Sequence, residues 1–313
     1  MASRSRQFII MQVDVFPSST PLSGNPVAVV LDSEGLSDET MQKFASWTNL
    51  SETTFIEPPN DPRADYKLRI FTMARELPFA GHPTLGSCRA WLEDGGKPKK
   101  EGEIIQECGV GLVTIKSDPS SGRLSFAAPD FIQEGDVSPE DLKHMCDAMD
   151  ISTSEVLKCR WIDNGPGWAG LILKSAEDVL AIKTDGINQG KGINWGVVGP
   201  YPKAQDQVQR ALRGDISHSQ LADEDNGTPH FELRAFVPNE SFIEDPVTGS
   251  LNAGVGKWLI SGGFAPQTYV ASQGTCLGRE GRVYVTADKA LVQDGDVWIG
   301  GETRVCIAGM VAL

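Results

Sequence analysis

The sequence predicts a mixed α/β (α+β) chain of two similar halves, each a curled, strand-rich sheet round one central helix. Three observations predict it. First, the stretch Glu76-Leu77-Pro78-Phe79-Ala80-Gly81-His82-Pro83-Thr84-Leu85-Gly86-Ser87 has a counterpart in Glu244-Asp245-Pro246-Val247-Thr248-Gly249-Ser250. Each copy sets a polar residue before Pro, then two residues, then Gly-Ser. Second, each copy runs on to a Trp-Leu pair, Trp91-Leu92 and Trp258-Leu259, and closes on a double glycine, Gly95-Gly96 and Gly262-Gly263. That is a helix start, an apolar body and a stop, in one order, twice. The second copy is longer between Ser and Trp by about one helical turn, so the same face stays buried. Third, a strand-like segment precedes each copy, with Leu68-Arg69-Ile70-Phe71 matching Leu233-Arg234-Ala235-Phe236. Strands do not alternate regularly with helices, which excludes a doubly wound fold.

Taken in order, Phe8 to Phe16 is apolar and β-prone and reads as the first strand. Pro17 to Asn25 is rich in turn residues. Pro26 to Leu31 reads as a second, buried strand. Ser37-Asp38 starts a helix that places Met41, Phe44, Ala45 and Trp47 along its length. Leu50 to Ile56 is β-prone, with the carboxylate of Glu52 at its mouth. Tyr66 to Thr72 is a strand leading into the first repeated stretch. Strands follow at 103–107, 111–116 and 123–127. The domain boundary falls between residues 127 and 128, dividing the chain into 1–127 and 128–313. The last strand, near 303–313, is a candidate to pair with the first half. The second half opens with a helix over 139–149. It continues with strands at 168–174 and 195–200, a helix or turn near 177–182 and a helix over 204–212. A strand over 230–237 leads into the second repeated helix, and strands at 269–272, 282–287 and 303–308 close the chain.

Composition narrows the function. The chain has 313 residues, 40% hydrophobic and 22% charged, with a formal net charge of −14. Two domains of ordinary size and a soluble globular protein follow. Nucleic-acid and anionic-membrane surfaces need a basic footprint and are not expected. Six scattered cysteines and four dispersed histidines show no metal-ligand spacing, so no metal is expected, and reduced thiols suit a cytoplasmic protein. No signal-peptide core and no apolar run of spanning length is evident.

The repeated helix starts suggest chemistry. Proline at the first helical position loses nothing, because that N–H would be unpaired anyway. His82 and Asp245 then fall near the two N-caps, where free N–H groups and the helix dipole favour an anion. Gly81 permits close backbone approach. Two such starts facing one cleft would suit a small carboxylate, and Gly249, Ser250 and Gln273 could line the second. Glu52 is the candidate proton carrier, since Leu50, Phe55 and Ile56 would raise its pKa toward a useful range. A carboxylate that takes a proton and returns it elsewhere on the substrate is a minimal isomerase. His82 could assist, and Asp245 could hold a hydroxyl or amine. Plainer roles stay open: Glu52 as a solvated strand-end residue, Asp245 as an ordinary cap, His82 as a turn residue, Ser87 and Ser250 as structural, Cys88 and the two tryptophans as core. Gly278-Arg279-Glu280-Gly281 matches no phosphate-binding loop.

Several motifs together resemble the phenazine-biosynthesis PhzF-like family. They are Val13-Asp14-Val15-Phe16, Gly24-Asn25-Pro26-Val27-Ala28-Val29, Asn49-Leu50-Ser51-Glu52-Thr53-Thr54-Phe55, Arg69-Ile70-Phe71-Thr72 and the two repeated stretches, with Gln273-Gly274 and Gly278-Arg279 as a fainter last one. The resemblance implies a diaminopimelate epimerase-like fold of two related domains with the site between them. It implies a cofactor-free isomerase, usually a homodimer. It places the proton-shuttling glutamate on Glu52, the site histidine and aspartate on His82 and Asp245, the site serine on Ser250, and a substrate-contacting turn at Gly81. Two departures matter. Related racemases use a cysteine at each helix start, and neither start here has a thiol. The last motif has Glu280-Gly281 where the family commonly has Pro-Ser, which counts against carrying over a phenazine-precursor substrate. The expected activity is a proton shift on a small carboxylate. Its alternatives are a two-base epimerase, a lyase or hydratase on the same scaffold, and a non-catalytic metabolite-binding protein.

Overall fold

A computed structural model describes residues 6–187, 192–215, 227–238, 243–288 and 296–313. His218, one of the four histidines, lies outside the described residues. The chain divides into two compact units, Met1–Ala127 with Gly300–Leu313, and Ala128–Ile299.

The first unit contains β1 (Gln7–Val15), β2 (Asn25–Val30), α1 (Asp38–Thr48), β3 (Thr53–Glu57), β4 (Tyr66–Phe71), β5 (Glu76–Leu77), α2 (Gly81–Glu93), β6 (Glu103–Cys108), β7 (Gly111–Ser117) and β8 (Leu124–Ala127). The remaining elements, in chain order, are β9 (Gln133–Gly135), α3 (Pro139–Met149), β10 (Lys158–Asp163), β11 (Trp168–Ile172), α4 (Ala176–Leu180), β12 (Asn194–Pro200), α5 (Pro202–Leu212), β13 (Phe231–Phe236), β14 (Glu244–Asp245), α6 (Gly249–Ser261), β15 (Thr268–Gln273), β16 (Gly281–Ala287), β17 (Val297–Gly301) and β18 (Thr303–Ala312). Strands β9, β10 and β17, and the two-residue strands β5 and β14, escape the sequence reading. The last strand, β18, runs antiparallel to β1 and so belongs to the first unit.

The duplication is explicit in the pairing order. In the first unit β18, β1 and β2 pair antiparallel, β2 and β3 parallel, β3 and β4 antiparallel, β4 then pairs antiparallel with β5 and parallel with β6, and β6 pairs antiparallel with β7. In the second, β9, β10 and β11 pair antiparallel, β11 and β12 parallel, β12 and β13 antiparallel, β13 then pairs antiparallel with β14 and parallel with β15, and β15 pairs antiparallel with β16. The two lists are the same sequence of hands. A parallel step needs a crossover, and each unit fills its two crossovers in the same way. A surface helix follows the strand that opens the first parallel step, α1 after β2 and α4 after β11, and the repeated helix follows the two-residue strand (α2, α6).

Helix α2 packs on β1, β2, β3 and β18, and α6 on β10, β11 and β16. Both are buried on nearly every face, as a helix wrapped by sheet must be. Glycine in a helix ordinarily costs about 1 kcal/mol. Here it lets the sheet close in: a Cβ on Gly86 would sit 2.3 Å from Val27 Cγ1. Trp258 lies in the core, whereas Trp91 is half-buried against Tyr66.

The helix stops fall where the sequence places them, with Gly95 and Gly263 at positive φ just past the last turns. The starts do not match each other. Proline was expected at the first helical position in both copies. Pro83 is instead the third residue of α2, whose N-cap is Ala80. Pro246 precedes α6 altogether, because Asp245 before it is tied into β14 opposite Ala235 and the N-cap is Thr248. Proline at the third position is tolerated for the reason expected at the first, since first-turn N–H groups have no intrahelical acceptor. The second helix thus begins later in the motif and uses the extra turn after Ser250. Both end up 13 residues long.

A charged staple is repeated too. Arg69 on β4 holds Glu76 on β5 through two bonds of 2.8 and 2.7 Å, and Arg234 on β13 holds Glu244 on β14 at 3.0 and 2.7 Å. Each pair fixes the hairpin that delivers the chain to its central helix.

Candidate active site

Glu52 lies in the four-residue loop between α1 and β3. Helix α1 stops at Asn49, which takes the left-handed conformation at φ 58°. Thr48 Oγ1 donates to the Ala45 carbonyl at 2.8 Å, so Thr53 Oγ1 is the donor in the 2.7 Å bond between the two threonines. That bond closes the loop at its base and sets Glu52 where the chain enters the sheet.

The structure brings two of the expected site residues together there. Glu52 Oε2 lies 3.4 Å from His82 Nε2, with side chains 15% and 5% exposed. His82 is the second residue of α2. Asn25 Nδ2 lies 3.5 Å from its other ring nitrogen, and the ring also hydrogen-bonds the Pro26 backbone. Burial pushes the His82 pKa down to about 3, against a smaller upward pull from Pro26. A neutral imidazole, with one donor and one acceptor nitrogen, therefore stands beside the carboxylate. Gly81, also buried, opens the helix, and no side chain caps its first turn.

The second unit carries Asp245, Gly249, Ser250 and Gln273. Asp245 was expected at the N-cap and is found on β14, because its backbone pairs with Ala235. Its carboxylate accepts a 2.5 Å bond from the hydroxyl of Thr248, the actual N-cap. Gln273 spends both ends of its amide on this arrangement. Its nitrogen donates to the Asp245 carbonyl and to Thr248 Oγ1, at 3.1 and 3.0 Å. Its oxygen accepts from the Thr248 N–H and from Asn252, at 3.1 and 2.8 Å. The buried glutamine builds the helix start, so its place is behind the surface it was expected to line. Gly249 is the first helical residue. Ser250 accepts from the Trp168 indole N–H at 3.0 Å through Oγ, and from Asn164 Nδ2 at 2.9 Å through its carbonyl. The loop after β15 supports the same place: a Cβ on Gly274 would meet the Pro246 carbonyl at 2.6 Å, and one on Gly281 would meet Val247 at 2.5 Å.

Sequence reasoning missed Asn25, Pro26, Thr48, Thr53, Asn164 and Trp168. Asn25 and Thr53 sit inside quoted motifs, and Trp168 was read only as a strand residue. Cys88 is buried and its thiol is pushed up to about 12, which fits a core residue and not a nucleophile. Ser87 is likewise occupied, bonded to Thr54 at 2.8 Å. Among the described residues no group of His, Cys, Asp or Glu is arranged to hold a metal ion. No helix among them is long and apolar enough to cross a membrane.

The family profile described as phenazine biosynthesis-like protein, PhzC-PhzF, matches residues 13–309. The chain belongs to this family. Among PhzC-PhzF relatives, it is 36% identical over 307 residues to antisense-enhancing sequence 1 of Schizosaccharomyces pombe, covering 95% of this chain and 96% of that one. It is 30% identical over 308 residues to trans-2,3-dihydro-3-hydroxyanthranilate isomerase of Pseudomonas aeruginosa, covering 96% and 98%. Among solved structures, a "predicted epimerase" of Pseudomonas aeruginosa superposes with a TM-score of 0.69 at 25% identity, over 99% of both chains. A PhzF-family protein of Bacillus anthracis shares the fold, with a TM-score of 0.76 at 20% identity over 98% of this chain and 100% of that one. The PhzC-PhzF relatives whose names carry an activity are isomerases, and this chain is an isomerase of that family.

Proposed function

We propose that this isomerase moves a proton on a small carboxylate-bearing metabolite, with Glu52 as the shuttle. The observation that carries the reading is the Glu52–His82 pair, a carboxylate 3.4 Å from an imidazole that burial keeps neutral. Glu52 takes a proton from a carbon next to an activating group and returns it at another carbon of the same substrate. His82, kept neutral by burial, faces the carboxylate and holds it in place as its charge changes. Asp245, steadied by Thr248, takes a substrate hydroxyl or amine. The first-turn N–H groups at Gly81 and Gly249 favour the anionic group. One base serving both carbons needs no second thiol or metal.

The Pseudomonas aeruginosa relative acts, by its name, on trans-2,3-dihydro-3-hydroxyanthranilate, a ring carboxylate of the proposed kind. That compound is the first substrate to try, although Glu280-Gly281 departs from the family's last motif. The deciding experiment is Glu52→Gln, which keeps shape and removes the titrating group. Turnover of a substrate accepted by the parent enzyme should fall by roughly 100- to 10,000-fold. Turnover within a few-fold of the parent rejects the shuttle. In deuterated water, a single shuttle carries part of the substrate's own hydrogen to the new carbon. Complete solvent labelling in the first turnover would favour two separate bases.

A further inference from the structure

The connection from β1 to β2 is more constrained than a hairpin requires. Antiparallel neighbours can be joined by two residues, yet nine, 16–24, intervene here. Phe16 and Leu22 sit at φ 62° and 61° although neither is glycine, a strain that persists only where the surroundings over-determine it. The near end is tied by the Phe16 N–H to the Glu302 carbonyl at 2.9 Å. The far end is gripped by Asp14, a buried carboxylate that the proton chemistry leaves unused. Its Oδ2 accepts from the Ser23 N–H at 3.1 Å and its Oδ1 from the Gly24 N–H at 3.0 Å. Ser23 Oγ donates to the Thr20 carbonyl at 2.7 Å and accepts from the Ser18 N–H at 3.0 Å. A Cβ on Gly24 would lie 2.7 Å from Asp14 Oδ1 and 2.8 Å from the Pro17 nitrogen, so the grip needs glycine there.

What the loop delivers is the start of β2. Asn25 and Pro26 stand opposite Val15 and Asp14 in the ladder. Side chains alternate along a strand, and Val13, Val15 and Val27 all face Gly86 on α2. Asn25 is the polar member of that apolar face, and it meets His82, one turn before Gly86. Pro26 offers its backbone to the same ring. Proline has no N–H, so its carbonyl accepts, one ring nitrogen is held protonated and the other keeps its lone pair. Nε2 of the ring faces Glu52. We infer that Asp14 is a positioning residue for the proton shuttle: by pinning the Ser23–Gly24 backbone it fixes Asn25 and Pro26, and these hold the His82 imidazole in one tautomer and one orientation toward Glu52. The inference rests on reading His82 as the partner of Glu52, and its structural half holds whichever reaction the pair performs.

The test reads the His82 ring nitrogens by long-range proton–nitrogen NMR on the uniformly labelled full chain, with His82→Gln supplying the assignment. The parent should show a single neutral tautomer. Asp14→Asn keeps the shape but sets an amide donor against a backbone N–H. Gly24→Ala disturbs the same grip from the other side. Each should move the ring signals to the averaged values of two exchanging tautomers. Glu244→Ala, which weakens the second unit, should leave them unchanged, and Glu52→Gln should keep the single tautomer. With trans-2,3-dihydro-3-hydroxyanthranilate as substrate, Asp14→Asn should lower kcat on the order of 10- to 100-fold with KM within a few-fold, and should lose nothing further in a His82→Gln background. The NMR result decides alone where that compound is not turned over. Two tautomers in the parent, a single tautomer kept in both Asp14→Asn and Gly24→Ala, equal averaging in Glu244→Ala, or additive losses of kcat in the double variant would each overturn the inference. Full turnover in Glu52→Gln alongside averaged tautomers in Asp14→Asn rejects the shuttle and supports the positioning. Melting temperatures show whether Asp14→Asn folds, and where it does not, Gly24→Ala decides.

Discussion

The repeated arginine–glutamate staple offers an internal comparison of the same pair in two environments. In the second unit Arg234 and Glu244 are 3% and 4% exposed, and Arg234 also donates to the Ile182 carbonyl at 2.7 Å. In the first unit Arg69 and Glu76 are 17% and 42% exposed, and Arg69 has a second partner in Asp38 at 2.7 Å. Glu244→Ala leaves a guanidinium buried without its counter-charge, which should cost about 3–5 kcal/mol. Glu76→Ala leaves Arg69 near water and still paired, and should cost about 0–1 kcal/mol. For a unit of this size each kcal/mol lowers Tm by roughly 2–4 °C, so the first change should lower it by roughly 6–20 °C and the second by about 4 °C at most. Scanning calorimetry at low and high salt measures both, and only the Glu76 effect should shrink as salt screens it. Replacing both partners, Arg234→Met with Glu244→Leu, should recover part of the loss and not all, since the Ile182 carbonyl loses its donor. Equal shifts for Glu76→Ala and Glu244→Ala would refute the argument that burial, not pairing geometry, sets the cost.

Two further outcomes follow from the same contacts. His82 is held to about 3 in the fold against an ordinary value of 6.5, so between those values the unfolded chain binds more protons. The contribution of neutral His82 is fully present above about pH 6.5 and is lost as pH falls toward 3. Denaturant titrations from pH 7 to pH 4 should show a steeper decline for the parent than for His82→Gln, and parallel declines would discount the burial of the ring. Gly86→Ala should destabilise by about 1–3 kcal/mol although alanine favours helices, because its Cβ would lie 2.3 Å from Val27 Cγ1. An unchanged or raised midpoint in urea would show that the sheet yields at that point.

Much of this architecture was legible in the sequence because it rests on local chemistry. The Gly-Gly stops, the Trp-Leu bodies and the Arg-x-Phe strands each appear twice and read the same way. Helix α3 carries its own Ser138 cap and proline and was bounded correctly. The unequal helix starts were not legible, because they depend on what Asp245 pairs with across the sheet and not on its neighbours in the chain. Strand β10 was missed since its residues are mostly half-buried and give no clean alternation. The meeting of Glu52 and His82 joins residues thirty positions apart; the residues themselves suggested only that His82 could assist, and the resemblance placed both in one site. The work of Trp168 and Gln273 depends on donor direction, which residue type permits but only geometry assigns.

Strand β18 supplies one edge of β1, and one end of this pairing is closed by Arg6 and Leu313, each N–H bonded to the other's carbonyl at 3.0 Å. The first unit is therefore discontinuous, and its sheet is complete only when β18 has joined β1. Closing that sheet brings together β1 and β18, segments almost the whole chain apart in sequence, a contact of very long loop closure. Until then the unpaired edge of β1, with Phe8, Ile10 and Met11, is exposed to any passing strand. Removing β18 would leave that edge of β1 permanently unpaired.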